Sequence, residues 1–293
     1  MLNTGSWNRR GWTPARLGTG LALVAASVAV TFDAWKDIYR IASRDEEAPH
    51  IFLVPVVAFW LFWTRRRRLR HFRPGESLFG PLMVLAGWAL HSSGDTYLVQ
   101  SFFHFGAVLM AVGCLVTVFG TALLREFSPV FLTLVFLVPV PGRVRQQIAI
   151  PLQTLTAKAT AELFALVGAP ITRSGNTLSV NGNDVQIAEA CNGLRMMFAL
   201  ALAMFAFAFG SPLRAYARVL VLAATPVTAV VCNVIRLVPT VWVYGYHSSA
   251  FATTFHDVSG WFMLVVAFLM LLAIIRLLRW ALIPVTTYTL AYD

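Results

Sequence analysis

Phe105-Gly106-Ala107-Val108-Leu109-Met110-Ala111-Val112-Gly113-Cys114-Leu115-Val116 forms the middle of residues 102–124, a run without a single Asp, Glu, Lys or Arg. An uncharged apolar run of this length is what a helix needs to cross about 30 Å of hydrocarbon. Working outward, comparable runs occupy 17–34, 50–64, 78–92, 127–141, 192–210, 214–235 and 257–279. The shorter ones are flanked by Trp60, Trp63 and Trp88, residues suited to a membrane interface. Across 293 residues the chain is 58% hydrophobic and 12% charged, which excludes a soluble domain of this size. The expectation is an all-α polytopic membrane protein: one domain over 1–293 with about eight transmembrane helices. The first apolar run lacks a small-residue processing site and reads as a retained anchor.

Charge orients these spans. With the N-terminus inside, fourteen of the 23 Lys and Arg fall in cytoplasmic segments, among them Arg65, Arg66, Arg67, Arg68 and Arg70. Of the 13 acids only Glu76, Glu126 and Asp293 share those segments. Cations held on the cytoplasmic side set topology, so the basic balance points to a lipid bilayer and not to nucleic acid. Five crossings precede Cys191, which therefore emerges outside, as do Arg236 and His256 at the mouths of later helices.

Residues 142–170 carry Arg143, Arg145, Lys158 and Glu162, while Ile148, Leu152, Leu155, Ala159, Leu163 and Leu166 line up at helical spacing. We read this as an interfacial helix lying on the outer surface. As a ninth span it would put Arg276 and Arg279 outside, against the charge rule. Beyond it, Leu178 and Val180, then Val185 and Ile187, alternate with polar residues around Ser174-Gly175-Asn176 and Asn181-Gly182. That is a small extracytoplasmic β-hairpin or meander delivering the chain to Cys191.

Glu189-Ala190-Cys191-Asn192-Gly193-Leu194-Arg195 stands where this polar segment enters an apolar helix. Unpaired N–H groups at a helix start, and Arg195 one turn on, favour a thiolate. Asn233 and Arg236 lie three apart on one helical face, which suits a lined cavity better than a lipid face. His256 has Asp257 beside it and small Ser259-Gly260 after it. A thiol, a guanidinium and an imidazole at one membrane depth describe acyl transfer. Cys114 reads as packing, and so does Cys232, although Cys232 precedes Asn233. No Cys/His spacing suggests a metal, and no cofactor is expected.

The order of these blocks resembles the exosortase/archaeosortase family of integral membrane transpeptidases. The family pattern A-C-x-G-L-R, N-x-x-R and H-x-x-x-G is matched by Ala190 to Arg195, Asn233 to Arg236 and His256 to Gly260. Phe136 to Pro141, Gly168-Ala169-Pro170, Arg173 to Asn176 and His50 to Pro55 extend the resemblance to about residues 35–280. Asn192 stands where many members have Ser, and Ala48-Pro49-His50-Ile51 replaces their aromatic-Ser-His-Gly.

The resemblance implies a membrane cysteine peptidase or transpeptidase in a bacterial inner membrane, with its active site at the extracytoplasmic face. Its substrates would be exported proteins ending in a Pro-Glu-Pro-like motif, a transmembrane helix and a basic tail. Cys191, Arg236 and His256 would be catalytic. Arg195, Asn192, Asn233 and Glu189 would bind substrate or support them, and an acceptor nucleophile would resolve a thioester. The alternative is a transporter or structural subunit of an exopolysaccharide export system, with Arg236, Arg195 and Glu189 lining a path.

Overall fold

The computed structural model describes residues 12–45, 48–70, 74–187 and 193–280. It resolves into two compact units, residues 1–141 with 289–293, and residues 142–288. Helix dominates both, and a single small sheet is present among the described residues.

In the first unit, α1 (Pro14–Val30) stops at Thr31, and α2 (Phe32–Arg44) leaves at 74° to it. Thr31 holds the bend: its hydroxyl donates to Ser27 O at 2.8 Å and accepts from Trp35 Nε1 at 3.0 Å. The expected span at 17–34 therefore ends at residue 30. A 3₁₀ turn, Pro49–Phe52, leads into α3 (Leu53–Arg65), where Val54, Ala58 and Leu61 are buried while Phe59, Trp60 and Trp63 face outward. Arg66 stacks its guanidinium 4.0 Å from the Trp63 ring centroid, and Arg68 pairs with Glu126 at 3.4 Å.

The closest helix packing in this unit joins α4 (Phe79–Thr96) to α5 (Gln100–Phe119). Gly80, Gly87 and Gly94 on α4 and Gly106 and Gly113 on α5 recur every seven residues, with Gly87 against Gly106, Gly80 against Thr117, Gly94 against Phe103 and Gly113 against Val84. A Cβ at Gly87 would lie 2.8 Å from the backbone nitrogen of Met110, closer than real side-chain carbons come. Glycine lets the backbones touch, and dispersion between them replaces the hydrophobic drive that lipid removes. Gly120, at φ 85°, ends α5, so the span expected at 102–124 is cut at 119. The short α6 (Thr121–Glu126) follows, and where 127–141 was expected to cross, the chain forms α7 (Ser128–Thr133) and a 3₁₀ turn, Leu134–Leu137.

The second unit begins with α8 (Gly142–Leu166) and the antiparallel meander β1 (Ile171–Ser174), β2 (Thr177–Val180) and β3 (Asn183–Gln186). Leu178 faces Val185 across the ladder, and the alternating apolar residues of β2 are buried. Asn181 and Gly182 both have positive φ, as a type I′ turn requires. The helices α9 (Gly193–Gly210), α10 (Ala215–Ala223), α11 (Thr225–Tyr246) and α12 (Ser249–Trp280) follow.

Helix α8 packs with one face. Leu155 is 55% exposed and Leu166 82%, with Ile148 and Leu163 also open, whereas Ala149, Thr156, Ala157, Thr160 and Phe164 are buried. Most of its leucines and isoleucines face outward, while the small and polar residues pack together with Phe164. In a lipid solvent that is the favoured arrangement, because apolar groups gain nothing by leaving lipid and polar ones do.

Among the described residues two stretches, Gln100–Phe119 and Ala215–Tyr246, are long and apolar enough to cross a membrane, or up to four if two bent helix pairs each count as one span. That is fewer than the eight crossings expected from hydropathy, because several of the expected runs fall on helices that are short or broken.

Replacing Gly87 by Leu is expected to force α4 and α5 apart and to cost at least about 1–3 kcal/mol, seen as a lowered melting midpoint in detergent. Gly18→Leu, where added atoms meet nothing within 4 Å, should melt like the unaltered protein.

Candidate active site

The site is built around α11, an apolar helix of 22 residues carrying Asn233 and Arg236 on one face. Both are buried, at 5% and 9% exposure. The helix continues ten residues past Arg236 to Tyr246, so Arg236 is an interior residue and not the helix end expected from hydropathy. Pro239 interrupts the ladder just beyond it, since its ring nitrogen has no proton for the carbonyl of Ile235. Thr240 reinforces the same turn by donating from Oγ1 to Arg236 O at 2.7 Å.

The meander closes over the later turns of α11. Leu237 and Val241 share one apolar cluster with Leu178, Val180, Val185 and Ile187. Gly245 makes room for β2, because a Cβ there would meet Val180 Cγ1 at 2.6 Å. Helix-end carbonyls lack partners of their own. Here Asn181 Nδ2 donates to Gly245 O at 3.2 Å and Asn183 Nδ2 to Tyr244 O at 3.3 Å. Ile187, fully buried beside Leu237, is where the chain leaves the described sheet before resuming at Gly193.

Helix α8 runs parallel to α11, with Thr156 touching Asn233 and the Phe164 ring tilted against Trp242 at 6.3 Å between centroids. Asn233 Nδ2 donates to Thr156 Oγ1 at 3.3 Å, and Thr156 Oγ1 donates to Leu152 O at 2.8 Å. Farther out, Asn176 donates to Gln153 and accepts from Thr154, tying the first turn of the meander to α8. Ala149, Leu152, Gln153 and Thr156 of α8 and Ala229, Val230 and Asn233 of α11 line a small cavity.

Helix α12 returns antiparallel to α11 after the short connection His247–Ser248. It starts at Ser249, so His256 lies two turns inside the helix and not at its mouth. The helix begins before the apolar run because Ala250, Ala252 and their neighbours sustain helix although Thr253, Thr254 and Asp257 lower the local hydropathy. Cys232 Sγ meets Met270 Sδ at 3.5 Å, fixing the register. Counted from the turn or from that contact, His256 stands nearer the turn than Arg236, by about 5 to 15 Å along the axis. Arg236 is thus the deeper of the two.

Of the expected site residues, Asn233 and Arg236 are brought together. Arg195 lies in the first turn of α9 and His256 on α12, with their side chains outside the described set. Glu189, Cys191 and Asn192 lie outside the described residues. Cys232 is a buried free thiol, as is Cys114 in α5. Among the described residues no three His, Cys, Asp or Glu side chains gather as metal ligands would. Thr156 and Thr160 were missed by sequence reading. Their signal was a small and polar stripe, Ala149, Gln153, Thr156 and Thr160, beside the more conspicuous apolar one.

The profile of the transmembrane exosortase family matches residues 35–273, from α2 into α12. The chain belongs to the exosortase family. No curated protein and no solved structure matches it. Cys191, Arg236 and His256 all fall within the matched stretch, as do the meander and both helices of the Asn233–Thr156 contact. The exosortase match and the apolar helices together make this a membrane protein.

Replacing Asn181 and Asn183 by Ala should each cost about 0.5–1.5 kcal/mol by leaving carbonyls at the end of α11 unpaired. The loss should appear as earlier thermal unfolding, greatest in the double variant.

Proposed function

We propose that this exosortase is a membrane-embedded cysteine transpeptidase that removes a C-terminal sorting signal from exported proteins. The observation that carries the reading is Arg236, an arginine buried beside Asn233 in the interior of an apolar helix and inside the family match. A cation kept at that cost in a membrane helix marks a site of chemistry or transport. The ordered Cys191, Arg236 and His256 blocks favour chemistry, since a transport path gives the thiol no task.

In this mechanism His256 takes the proton of Cys191, and the thiolate attacks the peptide carbonyl beside a Pro-Glu-Pro-like motif. Arg236 stabilises the oxyanion of the tetrahedral intermediate, a contact worth about 2.7–4 kcal/mol where water is excluded. Collapse forms the thioester, and His256 returns the proton to the leaving amine as the tail helix departs. An acceptor nucleophile then displaces the thiolate. Arg195 binds the motif glutamate, with Glu189, Asn192 and Asn233 as supporting groups.

The positive-inside distribution supports eight crossings in a bacterial inner membrane and a site on the extracytoplasmic side. The family match spans both compact units, which supports treating the chain as one functional domain.

Cys191→Ala should leave the protein inserted in the membrane while substrate accumulates with its tail attached, read by immunoblot of the processed and unprocessed forms. Normal tail removal by that variant would sink the mechanism. Arg236→Lys should slow single-turnover tail release by about 10²–10³ with substrate capture kept, because an ammonium cannot reproduce the guanidinium fork. Arg195→Lys should instead weaken co-purification of substrate with the Cys191→Ala protein.

A further inference from the structure

Thr156 decides which way the Asn233 amide points. Its hydroxyl has one proton, and that proton goes to Leu152 O at 2.8 Å. Toward Asn233 it can therefore only accept, so the amino group of Asn233 must face it at 3.3 Å. The carbonyl Oδ1 is turned the other way, buried and without a hydrogen-bond partner among the described residues. One turn along α8, the Thr160 hydroxyl is likewise fully buried and unpartnered. The parallel register that joins Thr156 to Asn233 brings Thr160 to the level of Arg236 and Leu237.

Buried acceptors are nearly always satisfied, and leaving one unmet costs more than a hydrogen bond returns. Asn233 also lines the cavity between α8 and α11, which has about 10 Å³ of room, the space of one water molecule. Gln153 and Thr156 give that cavity polar walls.

We propose that Asn233 Oδ1 is a binding group for a small N–H or O–H donor, and that Thr156 is the positioning residue that aims it. This rests on reading Arg236, one turn away on the same face, as part of the reaction site. Asn233 then acts as an acceptor where a guanidinium supplies donors, so the two hold opposite ends of one polar group. The donor is an amide N–H of the substrate peptide or the N–H or O–H of the acceptor nucleophile that resolves the thioester.

Thr156→Val keeps the shape and removes the hydroxyl, letting the Asn233 amide turn. It should slow tail processing about tenfold with the protein still inserted in the membrane, and lower the melting midpoint by no more than the loss of one buried hydrogen bond. Thr156→Ser should restore most of the rate. If the donor is a substrate amide, Thr156→Val weakens co-purification of substrate with the Cys191→Ala protein and slows tail release. If it is the acceptor nucleophile, tail release is normal and a thiol-labile enzyme–substrate adduct accumulates on Cys191. Processing by Thr156→Val at the unaltered rate, or equal losses in the Ser and Val variants, overturns the assignment while Cys191 dependence stands. Tail removal that persists in Cys191→Ala removes both the assignment and the reading beneath it.

Discussion

Lipid removes the distinction between inside and outside that apolar side chains draw in water, and the packing described above follows from that. A leucine surrounded by acyl chains has little to gain from a neighbouring leucine, so helix association depends on close backbone approach and on polar contacts. The seven-residue glycine rows of α4 and α5 supply the first in one unit. In the other, Asn233 against Thr156 and the carbonyl contacts of Asn181 and Asn183 supply the second.

The same constraint explains why the candidate site lies where it does. Asn233 and Arg236 are unfavourable on a face that touches lipid, and α8 offers them its stripe of threonine, glutamine and alanine. The meander covers the next turns of α11 with Leu178, Val180, Val185 and Ile187, giving that stretch a dry apolar lid. A guanidinium next to such a lid is shielded from water, where its attraction for a developing negative charge is strongest. Pro239 sits at this junction, so the helix is least tightly bonded where polar lining gives way to sheet packing.

Much of this was legible without coordinates. Composition alone places the chain in a membrane, because nothing soluble of this length is so apolar and so sparsely charged. The meander was readable because period-two alternation between Asn-Gly-type turns has one structural meaning. The ordered cysteine, arginine and histidine blocks pointed to the exosortase family to which the chain belongs. Helix ends were less legible: hydropathy stops at Arg236 and resumes after His256, while the backbone continues as helix through polar residues at both places. Hydrogen bonding along a helix is indifferent to whether side chains suit lipid.

What the sequence by itself determined is therefore the solvent, the order of the candidate site residues and the local β geometry, each set by composition or by neighbours a few residues apart. Only the tertiary structure decided which face of α8 packs, that Thr156 orients Asn233, and that Arg236 lies deeper than His256. These depend on which helix comes to lie beside which. Hydrophobicity, the usual guide to a packed face, does not mark it where the solvent is itself apolar.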